Sequence, residues 1–135
     1  MRTFDEVWND KMLTGIGNID EHHRVLVRLL VDAYNAVELG TPPERVRPIV
    51  SELVSYTKYH FAAEERLMVE KKYPDLLEHR LAHRWFSGQV DGIFLKVSSR
   101  DPATSLELFK LLRDWLIDHI LKLDKRMSYH VLRTA

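Results

Sequence analysis

The most informative part of the sequence is the stretch Tyr59-His60-Phe61-Ala62-Ala63-Glu64-Glu65. His60 and Glu64 are four residues apart, a spacing that puts both side chains on one face of an α-helix, one turn apart. Apolar residues at helical spacing predict that this face is buried; they are Val46, Ile49, Leu53, Tyr56 and Leu67. An imidazole and a carboxylate therefore occupy core positions, which is costly unless a partner or a metal ion satisfies them.

The composition is that of a small chain with balanced charge. Its 135 residues suit a single domain, residues 1–135. The 20 Lys and Arg residues equal the 20 Asp and Glu residues, which argues against a nucleic-acid-binding protein because such proteins usually carry a basic surplus. The absence of cysteine excludes disulfides, iron–sulfur clusters and thiolate zinc sites. With no apolar signal region and no run of roughly 20 apolar residues, we expect a cytoplasmic protein without membrane insertion.

Four amphipathic segments predict an all-α fold. We expect helices at about residues 19–39, 47–72, 75–97 and 104–129. Their short connections favour an up-down-up-down antiparallel four-helix bundle. Residues 1–18 lack a regular period, so we expect an irregular N-terminal arm that packs over the end of the bundle. Residues 130–135 are expected to fray.

Local signals set the predicted helix ends. Asn18 is a candidate N-cap for the first helix, and Gly40 is a stop signal at its end. Pro48 disfavours a helix that extends far on its N-terminal side, so we expect the second regular helix to begin near Arg47. The third loop is predicted at residues 98–103.

Ligand-type residues recur on the inward face of every predicted helix. His79 and His83 repeat the four-residue spacing of the opening stretch. Asp124 follows His119 by five residues, a rotation of about 140° that places it off the apolar stripe. A lone buried histidine is more often a hydrogen-bonded core residue than a ligand, but here every helix contributes. The candidate metal ligands are His23, His60, Glu64, His79, His83, His119 and Asp124.

Seven ligands are too many for one ion. Two six-coordinate ions joined by two bridging carboxylates and a bridging oxygen would share three ligands, and the five histidines would then divide three and two. The ion with two histidines keeps one open position, which is what a small gas molecule requires.

The chain resembles the hemerythrin family, specifically its single-domain bacterial members, from Trp8 to about Tyr129. The resemblance rests on Gly15-Ile16, Ile19-Asp20-Glu21-His22-His23-Arg24-Val25-Leu26, Tyr59-His60-Phe61 with Glu64-Glu65, Tyr73-Pro74 with His79 and His83 before Phe86, and Trp115-Leu116 with His119-Ile120 and Asp124.

The resemblance implies reversible dioxygen binding at a centre of two non-haem iron ions (Fe2+/Fe3+) with an oxo or hydroxo bridge, and no catalytic residues. It also implies a division of the ligands: His79, His83 and His119 on the saturated iron, His23 and His60 on the open iron, and Glu64 and Asp124 as bridges. Apolar neighbours would limit the entry of water and protons; the candidates are Leu26, Phe61, Leu116 and Ile120.

One position departs from the family pattern. The family more often has glutamine where this chain has His22, which leaves two adjacent histidines. His23 lies on the apolar stripe, whereas His22 is rotated from it by about 100°. We therefore expect His23 to be the ligand, and His22 to have a supporting or surface role or to be an exposed histidine without function.

Several functions remain open at this stage. We expect a non-enzymatic monomer that binds dioxygen for storage, delivery or sensing, and a sensor would need a separate, unidentified protein partner. The main alternative is a di-iron enzyme or a protein that handles nitric oxide or peroxide, because the same open position admits those molecules. Histidine-rich sites also accept zinc or manganese, so a role in metal homeostasis stays open.

Overall fold

The computed structural model describes residues 2–97 and 102–134, and none of them forms a strand. A 3₁₀ turn at Asp10–Met12 and a π-helical turn at Ile120–Asp124 lie between the α-helices. The six α-helices are α1 (Phe4–Val7), α2 (Gly17–Glu38), α3 (Pro43–Glu70), α4 (Leu76–Val97), α5 (Pro102–His119) and α6 (Lys125–Arg133). The predicted third loop lies mostly outside the described residues.

Four long helical units form an antiparallel up-down-up-down bundle, which confirms the predicted all-α architecture. The units are α2, α3, α4 and the continuous run from α5 through α6. α2 and α4 each pack against both α3 and α5, so they occupy opposite corners of the bundle. Among the described residues, no helix is both long enough and apolar enough to cross a lipid bilayer.

Two apolar clusters fill the interior. The main core includes the fully buried residues Leu26, Leu30, Leu53, Phe86, Leu112, Leu116 and Ile120. The end cluster lies where α3 turns into α4 and consists of Met68, Tyr73, Met127 and Val131. Along α3, the buried residues His60 and Glu64 fall between these clusters, so a polar layer separates two apolar ones.

Two predicted helix boundaries are wrong. α3 begins at Pro43 rather than near Arg47, and Pro48 lies inside it. Pro43 starts the helix with a φ that is already helical. Pro48 is solvent-exposed in the second turn, so the main-chain hydrogen bond that it removes is near the helix end, where water serves as a substitute. α2 already begins at Gly17, so Asn18 is not its cap.

The N-terminal arm lies along α2 rather than over the end of the bundle, and it contains a helical turn. Asn35 donates a side-chain hydrogen bond of 2.8 Å to the carbonyl oxygen of Arg2. The Arg28 guanidinium lies 4.6 Å from the centre of the Phe4 ring, an arrangement that favours cation–π attraction. The arm therefore covers one side of α2 and runs antiparallel to it.

The buried carboxylate of Asp20 anchors the junction between the arm and α2. Its Oδ1 accepts hydrogen bonds from the backbone N–H and the hydroxyl of Thr14, each at 2.7 Å. Its Oδ2 accepts from the backbone N–H of Gly15 at 3.1 Å, and Gly15 has a φ of 85°, a value that favours glycine.

The C-terminal segment is helical to Arg133, so the predicted frayed tail is wrong. Val131 is buried in the end cluster. His130 Nε2 donates a 2.9 Å hydrogen bond to the carbonyl oxygen of Lys71, at the C-terminal end of α3. Apolar burial and this bond hold the last turn against the bundle.

Candidate metal centre

The structure brings all seven candidate ligands together in the layer between the main core and the end cluster. Every helical unit of the bundle contributes at least one of them. All seven are buried, with exposed fractions between 0% and 5%. They are His23 on α2, His60 and Glu64 on α3, His79 and His83 on α4, His119 on α5 and Asp124 on the π-helical turn.

The ligand atoms fall into two overlapping groups. In each group, one nitrogen or oxygen atom from every residue lies within 4.8 Å of the others. Glu64 and Asp124 belong to both groups. The three-histidine group adds His79, His83 and His119, and the two-histidine group adds His23 and His60.

Each shared carboxylate divides its two oxygens between the groups. Glu64 Oε1 lies 3.2 Å from His83 Nε2, and its Oε2 lies 3.3 Å from His60 Nε2. Asp124 Oδ1 lies 3.0 Å from His119 Nε2, and its Oδ2 lies 3.0 Å from His23 Nε2. Both carboxylates are therefore oriented to touch two cations at once.

The π-helical turn explains how Asp124 reaches the centre. In a regular α-helix, Asp124 would be rotated by about 140° from His119. The wider turn, with its i→i+5 hydrogen bonds, brings residues five apart close to one face. Asp124 is consequently buried while Leu123 is half-exposed, so the expectation that Asp124 lies off the buried stripe is wrong.

The centre contains more acceptors than its own protons can satisfy. Both carboxylate oxygens of Glu64 and Oδ2 of Asp124 are buried without a hydrogen-bond partner among the described residues. His119 Nε2 lies 3.1 Å from the Nε2 atoms of both His79 and His83. A single proton cannot bridge three nitrogens, and a buried unsatisfied carboxylate is costly.

A metal ion would satisfy these atoms. Around an octahedral ion with bonds of about 2.1 Å, adjacent ligand atoms lie about 3.0 Å apart. The observed separations among Asp124, His79 and His119 are 3.0 and 3.1 Å, close to that value. The donor set of imidazole nitrogens and carboxylate oxygens suits a divalent transition metal.

Without metal, protons balance the charge of the two carboxylates, although they do not satisfy all of the carboxylate oxygens. Burial lowers the pKa of His23, but its contacts with Asp124 and Glu64 outweigh burial and raise that pKa to about 9. The same causes raise the pKa of His79 to about 9. Burial alone would raise the pKa of Glu64, yet His60 and the other imidazoles hold it well below its usual range. Two imidazolium groups therefore face two carboxylates at neutral pH, and cations would displace those protons.

Two residues outside the cluster contact the outer nitrogens of its histidines. His22 Nδ1 lies 3.0 Å from His60 Nδ1. On the opposite side, His83 Nδ1 donates to Glu65 Oε2 at 2.9 Å, and Arg80 Nε donates to the other oxygen of Glu65 at 3.1 Å. The bond to Glu65 fixes the tautomer of His83 so that its Nε2 lone pair faces inward, and the contact with His22 does the same for His60 when His60 Nδ1 is the donor.

His22 and Glu65 were only partly foreseen. The possibility that His22 is exposed is wrong, because its side chain is largely buried between His60 and Tyr59. Glu65 was part of the opening stretch, but the sequence indicated no contact for it. The adjacent acids Glu64 and Glu65 could have indicated this contact. Neighbouring positions on a helix face different surroundings, so one carboxylate can enter the cluster while the next contacts a histidine from outside it.

Aromatic and aliphatic side chains form the walls of the centre. The ring of Phe61 stacks on His83 with a centroid separation of 3.8 Å, and Trp115 stacks on His119 at 4.2 Å. The other candidate wall residues, Leu26, Leu116 and Ile120, are all buried in the main core. Phe61 and His83 also border an open groove between α3 and α4 on the surface of the bundle.

Comparison with known proteins identifies similar chains. The family model described as "Hemerythrin HHE cation binding domain" matches residues 14–128. Bacteriohemerythrin of Stenotrophomonas maltophilia is 32% identical over 114 residues, which cover 84% of this chain and 73% of that protein. Bacteriohemerythrin of Clostridium acetobutylicum is 28% identical over 88% of this chain and 95% of its own length. Myohemerythrin of Riftia pachyptila is 27% identical over 87% of each chain.

Proposed function

The chain belongs to the hemerythrin family, and from this premise we propose that it binds dioxygen reversibly at a non-haem di-iron centre, for storage, delivery or sensing. One observation carries the proposal. The two ligand groups share both carboxylates but divide the five histidines unequally, three and two. Unequal division supports one saturated ion and one with a position open to a small ligand.

The proposed ligand roles follow the two groups. The three-histidine group would hold the saturated iron, and the two-histidine group would hold the open one. Glu64 and Asp124 would bridge, because each aims one oxygen at each group. The full proposed set is His23, His60, Glu64, His79, His83, His119 and Asp124.

Bound there as a ferrous pair, iron would supply the electrons with which dioxygen is held reversibly. The protein's contribution is the balance of its ligands. Five neutral imidazoles and only two carboxylates stabilise high oxidation states of a metal less than a carboxylate-rich site does. This balance supports release of the gas over cleavage of its O–O bond, and hence a binding protein over an enzyme.

The wall residues contribute by excluding water. Leu26, Leu116 and Ile120 are at most 1% exposed, and Phe61 and Trp115 cover two of the histidines. His83 and His119 belong to the three-histidine group, so Phe61 and Trp115 shield the ion proposed to be saturated. Leu26, one helical turn from His23, extends the apolar wall toward the proposed open position, where exclusion of water would slow irreversible oxidation. His22 and Glu65 hold the outer nitrogens of His60 and His83 and so keep these rings oriented inward.

The test joins a metal count to an optical titration. The protein is purified and reduced without air, iron per chain is measured, and spectra are recorded as oxygen is added and then removed under inert gas. We expect two irons per chain and a charge-transfer band that appears with oxygen and disappears on its removal. As the control, His60→Leu removes one ligand of the two-histidine group, and we expect it to lose this optical response.

Other outcomes would redirect the proposal. Two irons that convert irreversibly to the ferric form would favour an enzyme or a protein that handles nitric oxide or peroxide. Stoichiometric zinc would contradict a dioxygen-binding role, and so would the absence of stoichiometric metal from both the reduced and the oxidised protein. Either result would leave the bundle unaffected.

A further inference from the structure

The outward face of α4 carries large apolar side chains in a row. Leu77, Leu81 and Trp85 are 66%, 52% and 55% exposed. They are spaced four residues apart, so they form one stripe along the helix. The inward face of α4 carries His79 and His83, so this stripe is not part of the metal centre.

The same stripe continues into two glycines, Gly88 and Gly92, and then reaches Leu95, which is 76% exposed. Neither has a positive φ, and a Cβ added at either position would meet nothing within 4 Å. Glycine inside a helix costs about 1 kcal/mol relative to alanine. The packing of a single chain therefore gives no reason for glycine at these positions, whereas close approach of another backbone would.

The large side chains of Leu81 and Trp85 and the two glycines of the stripe are complementary to each other. Consider a second α4 packed antiparallel about a two-fold axis midway between residues 86 and 87. Trp85 of one copy then faces Gly88 of the other, and Leu81 faces Gly92, because each pair is equidistant from the axis. A two-fold axis repeats both contacts, so each copy supplies two large side chains and two notches.

The charges beside the stripe are compatible with the same antiparallel arrangement. It brings Glu78 of one copy within one residue of the position opposite Lys96 of the other. In a parallel pair, each residue would lie beside the same residue of the other copy, so like charges would be neighbours. Glu78 is exposed and lies 3.7 Å from Arg126 in its own chain, a long contact that leaves its carboxylate accessible to a second chain.

We propose that the α4 outer face, defined by Leu77, Leu81, Trp85, Gly88 and Gly92, is a self-association surface on which a second copy of this chain packs antiparallel. The helix has 22 residues, or about 33 Å of length. A contact through one such helix lies at the low end of specific interfaces, below about 1,200 Å² in total. The dimer is therefore reversible and dissociates on dilution, roughly in the micromolar range.

The first test is sedimentation velocity over a concentration series that spans this range. We expect the wild-type chain to shift from monomer to dimer, and Leu81→Glu and Trp85→Ala to weaken the dimer at least tenfold. Leu39→Glu is the matched control, because Leu39 is 82% exposed at the end of the diagonally opposite helix α2. It should leave association unchanged.

The glycines allow a test that separates folding from association. The double variant Gly88→Ala/Gly92→Ala should raise the melting temperature of the monomer, because alanine favours helix, and yet weaken the dimer. If the glycines had a purely structural role, the double variant would change the melting temperature but not the dissociation constant of the dimer. That result would overturn the proposal.

Cross-linking tests the antiparallel register. Because the chain has no cysteine, Leu81→Cys and Gly92→Cys each introduce a single thiol. Mixed under mild oxidation, the two variants should form mainly the 81–92 disulfide. Preferential 81–81 and 92–92 products would refute the antiparallel arrangement.

Two further results would overturn the proposal. One is a wild-type chain that remains monomeric throughout the series. The other is a monomer that binds lipid vesicles in a Trp85-dependent manner, since the stripe would then serve a membrane surface. None of these measurements depends on the metal content, so they are independent of the proposed dioxygen binding.

Discussion

Single side chains give the proposed centre its asymmetry. His22 and His23 are adjacent in sequence, yet they contact opposite nitrogens of the same ring. His23 Nε2 lies 3.0 Å from His60 Nε2, inside the cluster, whereas His22 Nδ1 lies 3.0 Å from His60 Nδ1, outside it. These positions agree with the proposed roles, in which His23 binds a metal ion and His22 orients the ring of His60.

This difference predicts distinct effects of substitution at the two positions. His23→Ala should lower the metal content from two ions per chain to one, because it removes a ligand from the group that has only two histidines. His22→Ala should retain both ions, with weaker binding at the two-histidine group by about 10- to 100-fold. Metal analysis after dialysis against a weak chelator distinguishes the two.

His22→Gln is the matched control, since its amide can still hydrogen-bond His60 Nδ1 and should restore the affinity. If His22→Ala lost one ion while His23→Ala retained both, the proposed roles would have to be exchanged.

The ionised groups of the centre predict how the stability of the metal-free protein depends on pH. The pKa values of His23 and His79 are raised to about 9 from about 6.5, so their stabilising contribution is fully present below pH 6.5 and is lost as the pH rises through about 9. The pKa of Glu64 is lowered, so its contribution is present above about pH 4.5 and is lost below it. Melting temperatures of chelated protein should therefore be highest between about pH 4.5 and 6.5.

The metal-loaded protein is the internal control for this profile. Because cations replace the two protons, its melting temperature should not show the same decrease as the pH approaches 9. A chelated protein with a flat profile from pH 6 to pH 10 would show that protons do not stabilise the empty centre.

At the scale of elements, the π-helical turn is the feature that completes the cluster. It inserts a wide turn between α5 and α6, and this shifts the buried face by one position. Leu123 moves outward and Asp124 moves inward, while Met127 and Val131 continue the buried face into the end cluster. Wide turns of this kind are often found at functional sites, where their cost in regular hydrogen bonding is offset by the geometry that they provide.

α3 contains a second irregularity, and it predicts a stabilising substitution. Pro48 lies inside the helix, is exposed and removes one main-chain hydrogen bond. Pro48→Ala should therefore raise the free energy of unfolding by about 1–3 kcal/mol, measured by denaturant titration. Pro43→Ala, at the first helical position where proline is well tolerated, is the control and should change stability little. A Pro48→Ala variant no more stable than the wild type would indicate that the helix start is held by other contacts.

At the scale of the whole molecule, the proposed ligands tie the bundle together. They come from all four helical units and converge in one layer between two apolar clusters. Ions held there would bind the folded chain more tightly than the unfolded one, and so would stabilise the bundle by mass action.

Metal removal should therefore destabilise the entire bundle. A ligand present at 100 times its dissociation constant raises the free energy of unfolding by about 2.7 kcal/mol. In a chain of this size, each kcal/mol shifts the melting temperature by roughly 3–5 °C. We expect chelation to lower the melting temperature by about 10 °C or more, as followed by circular dichroism. Glu64→Leu removes a carboxylate that both groups share, and its melting temperature should respond little to the chelator. An equal decrease in this variant would mean that the chelator acts elsewhere.

The architecture was predictable from the sequence because its signals are local. Apolar residues at helical spacing mark four long segments, short connections favour antiparallel neighbours, and Gly40 ends the first long helix with a φ of 68°. Six of the seven candidate ligands, all except Asp124, could also be named in advance, since an imidazole or carboxylate on a buried stripe stands out against its apolar neighbours.

Other features were decided only by the tertiary structure, because they depend on contacts between residues far apart in the chain. Asp124 turns inward only in the π-helical turn, which no local periodicity marks. His22 meets His60, 38 residues later, and Glu65 meets His83, 18 residues later. The arm follows α2 because Asp20, Arg28 and Asn35 hold it there. Helical periodicity predicts which face of a segment is buried, whereas the packing of the helices determines which side chains are in contact.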